Sequence, residues 1–336
     1  MPHALPVYQH PSLTILVDDS DSFLRSLSFQ LDPSLASRAF HDTRLALDWL
    51  RRHARPPEWQ RSPLSASFDT NARSLEQAGM ALDIDQIFRI SFQPDRFAIP
   101  TVVVVDYDMP QMNGIEFCEA LGSLPVRKIL FTGAADEKIA VRAFNHGLID
   151  RYIKKSDDDA LDRLEQDIHQ LQARYFTEQS DPLRDLLALN GYAFLYDRAF
   201  AALARTLAAE FRAVEHYLYP NPAGLLMYDE TGAPRLLVVE TEASLRAHIE
   251  VARDNKAPPS LVAALQARDV VPFFHAGDGM YSAAIGDDWQ RFCQPARICE
   301  GGQRYYYATF ELPRPYLPSP TRPFSHFLRD QATVTA

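Results

Sequence analysis

The sequence predicts an α/β chain: a doubly wound, five-stranded parallel sheet carrying an insertion, then a second α/β domain of α+β character. Three observations carry this prediction. Short apolar runs alternate with stretches of helical periodicity, the pattern of βαβ units. One of those runs, Thr101 to Val105, is almost pure valine without polar alternation, which suits a central parallel strand covered on both faces. The 336 residues leave room for two or three domains at roughly 100–200 residues each.

Residues 1–11 read as a loose leader, and the first domain spans 12–178. Leu13 to Val17 is a buried strand ending in Asp18-Asp19. Phe23, Leu24, Leu27 and Leu31 follow at helical spacing, and Pro33 stops them. Ser37 to Phe40 reads as a second strand. A helix from Thr43 to Arg52 then buries Ala46, Trp49 and Leu50. From about 53 to 100 the pattern turns irregular, with Pro56, Pro57 and Pro63, and this stretch reads as an insertion containing helices near Asn71–Ala78 and Asp83–Phe92.

Alternation resumes after the valine strand. A helix is expected around Ile115–Leu121, a strand at Lys128–Phe131, a helix at Glu137–His146 stopped by Gly147, and a strand at Ile149–Ile153. Ser156 offers a helix cap, with Asp157, Asp158 and Asp159 placed favourably in the first turn. Along that linker helix, 156–176, Leu161, Leu164, Ile168, Leu171 and Tyr175 follow 3-4 spacing. Such a stripe is either the seam of a dimer or a face packed on its own sheet.

Ser180-Asp181-Pro182 marks the expected domain boundary, with the second domain over 181–336. Phe200, Leu203, Leu207, Phe211 and Val214 mark a helix. Leu225–Tyr228 and Leu236–Val239 flank the turn signal Asp229–Gly232 and predict a hairpin. Two helices follow, near Glu242–Arg253 and Ser260–Ala267. Short strands are expected near Val270–Phe274, Tyr281–Ile285 and Gln303–Leu312. The prolines between Pro313 and Pro323 predict an extended tail.

Composition narrows the function. With 44 acidic against 34 basic side chains the net charge is −10, which weighs against broad nucleic-acid binding. No run of 18 apolar residues exists, and MPHALPVYQH has neither a basic nor an apolar signal region, so no membrane association is expected. Three cysteines are too few for a disulfide framework and point to the cytoplasm.

The chemistry lies at the strand ends. Asp18 and Asp19 close the first strand, Asp106 the valine strand and Thr132 the next, while Lys155 follows the last. In a parallel sheet these ends share the edge where ligands bind. Three carboxylates there repel one another unless a cation joins them, and a hard, oxygen-rich site suits Mg²⁺. The lysine and threonine can hold an anion at its centre.

The stretches LTILVDDSDSF, VVVVDYDMPQMNG, ILFTGAA and RYIKKSD resemble the receiver domain of two-component response regulators, a flavodoxin-like fold. The resemblance implies that Asp106 is the phosphoacceptor, Asp19 a direct Mg²⁺ ligand and Asp18 a ligand through water, with the carbonyl of Asp108 completing the set. It also implies that Thr132 and Lys155 hold the phosphoryl oxygens, that Tyr152 is the aromatic switch residue, and that Met109, Pro110 and Gly114 shape the turn beside the site. A sensor histidine kinase or phosphotransfer protein would be the partner, with homodimerisation on phosphorylation and no enzymatic activity beyond autocatalytic aspartyl phosphorylation and dephosphorylation. Two departures stand out. Ser156 replaces the usual proline after the lysine, and Lys154 precedes it; strand alternation and family spacing favour Lys155 in the site. The insertion delays Asp106 by about forty residues, a layout similar to the quorum-sensing regulators of α-hydroxyketone systems.

The second domain offers no comparable signature. It holds 15 basic and 18 acidic residues, 14 of the basic ones being arginines spread along the chain, and no helix-turn-helix pattern is visible. The expected output is therefore binding of a partner protein or small ligand, with DNA binding as the alternative and a nucleotide-binding or enzymatic output as a weaker one. His216, His248, His275 and His326 read as packing or surface residues. Gly301-Gly302 reads as a turn, and Cys293 and Cys299 as free buried thiols.

Overall fold

The computed structural model describes residues 4–54, 64–67, 79–82, 84–133, 137–275, 279–312, 317 and 321–334. The chain forms two compact units, each assembled from three segments. A parallel-sheet unit takes His10–Arg61, Pro94–Glu178 and Phe324–Ala336; an antiparallel-sheet unit takes Met1–Gln9, Ser62–Gln93 and Gln179–Pro323. The sequence signals a single junction near Ser180, whereas the chain passes between units five times. The stretch read as an insertion within the first domain is largely built into the other unit.

In the parallel-sheet unit the elements are β1 (Leu13–Val17), α1 (Asp21–Gln30), β2 (Ser37–Phe40), α2 (Thr43–His53), β3 (Pro100–Val105), α3 (Gly114–Leu121), β4 (Arg127–Thr132), α4 (Glu137–Asn145), β5 (Arg151–Lys154) and α5 (Ala160–Ser180). The sheet order is β2-β1-β3-β4-β5 with every pair parallel. β1 and β3 are buried at every residue, as their largely apolar runs require when helices cover both faces. Val17 pairs with both Phe40 and Val105, so β1, β2 and β3 end in line and Asp18 and Asp106 emerge side by side.

The stripe on α5 belongs to the core. Leu164, Ile168 and Leu171 are fully buried against Leu16, Val102, Val104, Ile129 and Ile153, and Leu161 packs beside them half-exposed. Tyr175 is buried as well. The expectation of a dimer seam is thus corrected: one face of the sheet must be covered, and the 3-4 spacing fits that cover. The proline-rich stretch from 313 to 323, expected to be extended, lies largely outside the described residues. After the prolines, Phe324–Val334 forms a helix whose Phe324 and Phe327 rings meet Phe97 at 5.1 and 5.6 Å.

The antiparallel-sheet unit is built on six strands in the order Tyr8–Gln9, Ala213–Tyr219, Gly224–Asp229, Pro234–Thr241, Arg304–Glu311, Arg297–Glu300. The predicted hairpin is present, with Leu225 opposite Leu237. Several expectations are corrected. Residues within the supposed leader form the edge strand, Tyr8 pairing with Tyr217, because Leu5, Val7 and Tyr8 have apolar surface to bury. The helix through Phe200 ends at Glu210, Arg212 turns with a φ of 52°, and Val214 lies in the following strand. Tyr281–Ile285 is not a strand but a turn leading into the short helix Gly286–Phe292. Cys293–Pro295, unforeseen, pairs with Val270–Pro272. Within the insertion Leu64–Ser67 pairs with Gly79–Leu82, and Ile84–Arg89 is helical; the helix expected near Asn71–Ala78 lies outside the described residues.

Gly301-Gly302 is a turn with a specific constraint. The Gly302 amide donates to the Asp197 carboxylate at 2.6 Å, and a Cβ on Gly301 would stand 2.3 Å from the same oxygen. Asp197 in turn caps the helix Arg198–Glu210. All three cysteines are free and buried. Among the described residues no helix is long and apolar enough to cross a membrane.

Two predictions arise from this packing. Leu164→Asp with Leu171→Asp should unfold the parallel-sheet unit rather than alter self-association, since each places a charge among fully buried side chains at a cost of several kcal/mol. Loss of cooperative melting by circular dichroism is the readout. The second concerns His216, whose Nε2 donates to the Pro6 carbonyl at 3.1 Å and whose burial pulls its pKa down from 6.5 to about 4. Between those values the unfolded chain takes up a proton there that the folded chain does not, so stability falls as pH falls through that window, by up to about 3 kcal/mol. Urea unfolding at pH 7 and pH 5 should show this loss, and His216→Gln should flatten it.

Candidate functional site

The site forms where β1 and β3 end. The Asp106 amide donates to the Val17 carbonyl at 2.9 Å and the Asp18 amide to the Phe40 carbonyl at 3.2 Å, so both residues are held as extensions of the ladder. Both side chains are buried, Asp18 at 4% exposure and Asp106 at 7%. The Lys155 ammonium lies across them, with Nζ at 2.6 Å from Asp18 Oδ2 and 2.8 Å from Asp106 Oδ1. Its backbone is fixed too, the Lys155 amide donating to the Thr132 carbonyl at 3.0 Å.

The remaining carboxylate oxygens are also engaged. The Ser20 amide donates to Asp18 Oδ1 and the Asp108 amide to Asp106 Oδ2, both at 2.9 Å. Ser20 then caps α1, accepting from the Phe23 amide. Phe23 places its ring 3.9 Å beneath the Lys155 ammonium, a cation–π contact that helps hold the lysine inward. The sequence counted Phe23 only as a core residue; its position, four residues after Asp19 on the first turn of α1, is the signal that could have shown it near the site.

The turn after β3 leaves no spare room. The Gly114 amide donates to the Tyr107 carbonyl at 3.0 Å, and a Cβ on Gly114 would stand 2.2 Å from the Asp106 carbonyl oxygen. Asn113 and Glu116 then close a capping box on α3. Met109 is buried in this turn and Pro110 is exposed.

The site residues expected from sequence fall into two groups. Asp18, Asp106 and Lys155 meet directly, and Thr132 is buried at the end of β4 beside the Lys155 backbone. Asp19, by contrast, is exposed, as is the Asp108 side chain. Lys154 is exposed and Lys155 holds the carboxylates. Tyr152 on β5 is half-buried, and its hydroxyl is shielded from solvent without a hydrogen-bond partner. Among the described residues no three His, Cys, Asp or Glu side chains converge at metal-binding spacing. Two buried carboxylates with a third at the rim nonetheless fit Mg²⁺, which binds through one or two carboxylates and keeps several waters.

The family model of the response regulator receiver domain matches residues 73–165. The structure of the Legionella pneumophila response regulator LqsR is similar over 98% of this chain and 97% of its own, at 31% identity and a TM-score of 0.76. This chain belongs to the response regulator family. Isolated receiver domains also match, among them one from Clostridium thermocellum (14% identity, 50% of this chain and 96% of that one, TM-score 0.32). Another, from an HD domain-containing protein of Pseudomonas fluorescens, matches at 21% identity over 51% of this chain and 93% of its own, with a TM-score of 0.34. No curated protein sequence matches this response regulator. The family match begins at residue 73, yet β1 to α2 of the response regulator, with Asp18, precede the insertion and complete the same sheet.

The two lysines give a direct test of the geometry. Lys155→Met leaves two buried carboxylates facing each other without a cation. Breaking a fully buried pair costs ~3–5 kcal/mol, and Lys155 is partly exposed, so a loss of about 1–3 kcal/mol is expected in urea unfolding at neutral pH. Lys154→Met should stay within about 0.5 kcal/mol of the parent.

Proposed function

We propose that this response regulator accepts a phosphoryl group on Asp106 from a sensor histidine kinase or phosphotransfer protein, and that the aspartyl phosphate switches the output of the antiparallel-sheet unit. The observation that carries this reading is the Lys155 ammonium lying across Asp18 and Asp106 at the strand ends. An Asp106 oxygen attacks phosphorus in line, the bond from phosphorus to the donor imidazole breaks, and the imidazole, protonated on its other nitrogen, takes the electron pair and leaves as a neutral ring. Lys155 is already placed to neutralise charge on the incoming phosphoryl oxygens, and the buried Thr132 hydroxyl is the second group to hold them. Asp18, Asp19, Asp106 and the carbonyl of Asp108 would hold Mg²⁺, which when bound supplies further neutralisation of the phosphoryl oxygens. No enzymatic activity beyond this self-phosphorylation and slow hydrolysis is assigned.

Magnitudes support a switch. Moving a two-state protein from 1:99 to 99:1 takes ~5.5 kcal/mol, and charge-assisted hydrogen bonds contribute ~1.5–3 kcal/mol each. Two or three new bonds to the phosphoryl group suffice. Lys155 must then exchange its present carboxylate contacts for phosphoryl ones, and Tyr152, whose hydroxyl has no partner to lose, can reorient at little cost. Self-association on phosphorylation and binding of a partner protein or small ligand are the outputs proposed, in place of DNA binding. The long insertion and the end-to-end likeness to another response regulator support a place in quorum sensing of the α-hydroxyketone type.

Incubation with a cognate kinase and Mg²⁺ should label the protein with acid-stable, base-labile phosphate. Asp106→Asn should abolish the label, and Asp19→Asn should raise the Mg²⁺ concentration needed at least tenfold. Undiminished labelling of the Asp106→Asn protein would refute the assignment.

A further inference from the structure

We propose that the antiparallel-sheet unit binds a small ligand carrying adjacent phosphoryl groups, in the cleft between helices Glu242–Asp254 and Pro259–Ala267. Arg246, Ile249, Glu250 and Arg253 line it from the first helix, and Gln266 and Arg268 from the end of the second, around a space of about 360 Å³ open to solvent. That lies within the ~300–1,000 Å³ of small-molecule sites.

Three arginines line the cleft, and they differ in how they are held. Arg268 is fixed before any ligand arrives. Its Nη1 donates to the carbonyls of Leu265 and Gln266 at 2.7 and 3.1 Å, and its Nε and Nη2 donate to the Glu242 carboxylate at 3.3 and 2.8 Å. It also caps its helix in the left-handed region, with a φ of 64°. Glu242 is held in turn by the Tyr306 hydroxyl at 2.5 Å, so the anchoring reaches back into the sheet. Arg246 and Arg253 stand two turns apart on one helix face, ~10.5 Å along its axis, close enough for both long side chains to reach one phosphate chain. Both are exposed, and among the described residues neither lies within salt-bridge distance of a carboxylate, although Arg246 is near enough to Glu242 to act on it through space. Glu250 sits four residues from one and three from the other, yet pairs with neither.

Guanidinium groups match phosphate oxygens in bidentate geometry, which a lysine cluster would not do. Buried Ile249 gives the cleft an apolar floor. Glu250, without a hydrogen-bond or ion-pair partner among the described residues, is an acceptor for a ligand hydroxyl. The site is local rather than extended: a duplex needs a row of phosphate contacts, and this segment of the chain carries a slight acidic excess.

Isothermal titration of the full-length protein with ATP, with sodium tripolyphosphate and with a 20-base-pair duplex tests the proposal. Saturable one-to-one binding of ATP or tripolyphosphate is expected, weakened at least tenfold by the paired substitution Arg246→Ala and Arg253→Ala, and unchanged by Arg198→Ala, an exposed arginine elsewhere in the unit. Tighter binding of ATP than of tripolyphosphate, reduced by Glu250→Gln, assigns a nucleotide; equal binding assigns the phosphate chain alone. Circular dichroism confirms that the variants fold, and Arg253→Gln alone serves if the pair does not. No binding of either small ligand at millimolar concentration, or binding indifferent to these arginines, overturns the proposal. So does a duplex that binds more tightly than ATP and depends on the same two arginines.

Discussion

One ammonium between two buried carboxylates is the constraint around which the parallel-sheet unit is arranged. Asp18 and Asp106 emerge from adjacent buried strands whose register leaves no choice of position. Two anions at 4% and 7% exposure require a compensating cation, and Lys155 supplies it from the far side of the sheet. Everything that fixes the lysine therefore matters to the site: its backbone bond to Thr132, the Phe23 ring beneath it, and the covering of β5 by α5. Gly114 is needed for a separate reason, since the chain leaving Asp106 folds back against that residue's own carbonyl.

Much of this was legible in the sequence because the signals were redundant. Uninterrupted β-branched runs, helical stripes and acidic strand ends all specify one layout, and Asp18, Asp106, Thr132 and Lys155 follow from it by position. The role of α5 was not legible. A 3-4 apolar stripe describes a helix covered on one side, and nothing in the spacing says what covers it; the fully buried Leu164, Ile168 and Leu171 answer that only through long-range contacts. Phe23 was missed for a related reason, since a partly exposed aromatic on a first helical turn looks like ordinary core.

The antiparallel-sheet unit was read less well, and the reason is distance along the chain. Tyr8–Gln9 is too short to register as a strand, and it becomes one only by pairing with Ala213–Tyr219. Val214 continues a helical period that Arg212 physically ends. Hairpins with close turn signals, such as Leu225–Leu237, were visible; pairings such as Val270–Pro272 with Cys293–Pro295, which close long loops, were not. The arginines of the open cleft looked scattered in sequence because helical geometry, and the reach of Arg268 from a second helix, gather them only after folding.

The threading of three segments through each unit sets the order in which the molecule can be finished. On the ribosome Tyr8 emerges about two hundred residues before its partner Tyr217, and the helix Phe324–Val334 of the parallel-sheet unit is synthesised after nearly all the rest. Neither unit is encoded by one continuous stretch, unlike domains that fold in turn from the N-terminus. The same threading means that no single crossover between genes can exchange the parallel-sheet unit whole.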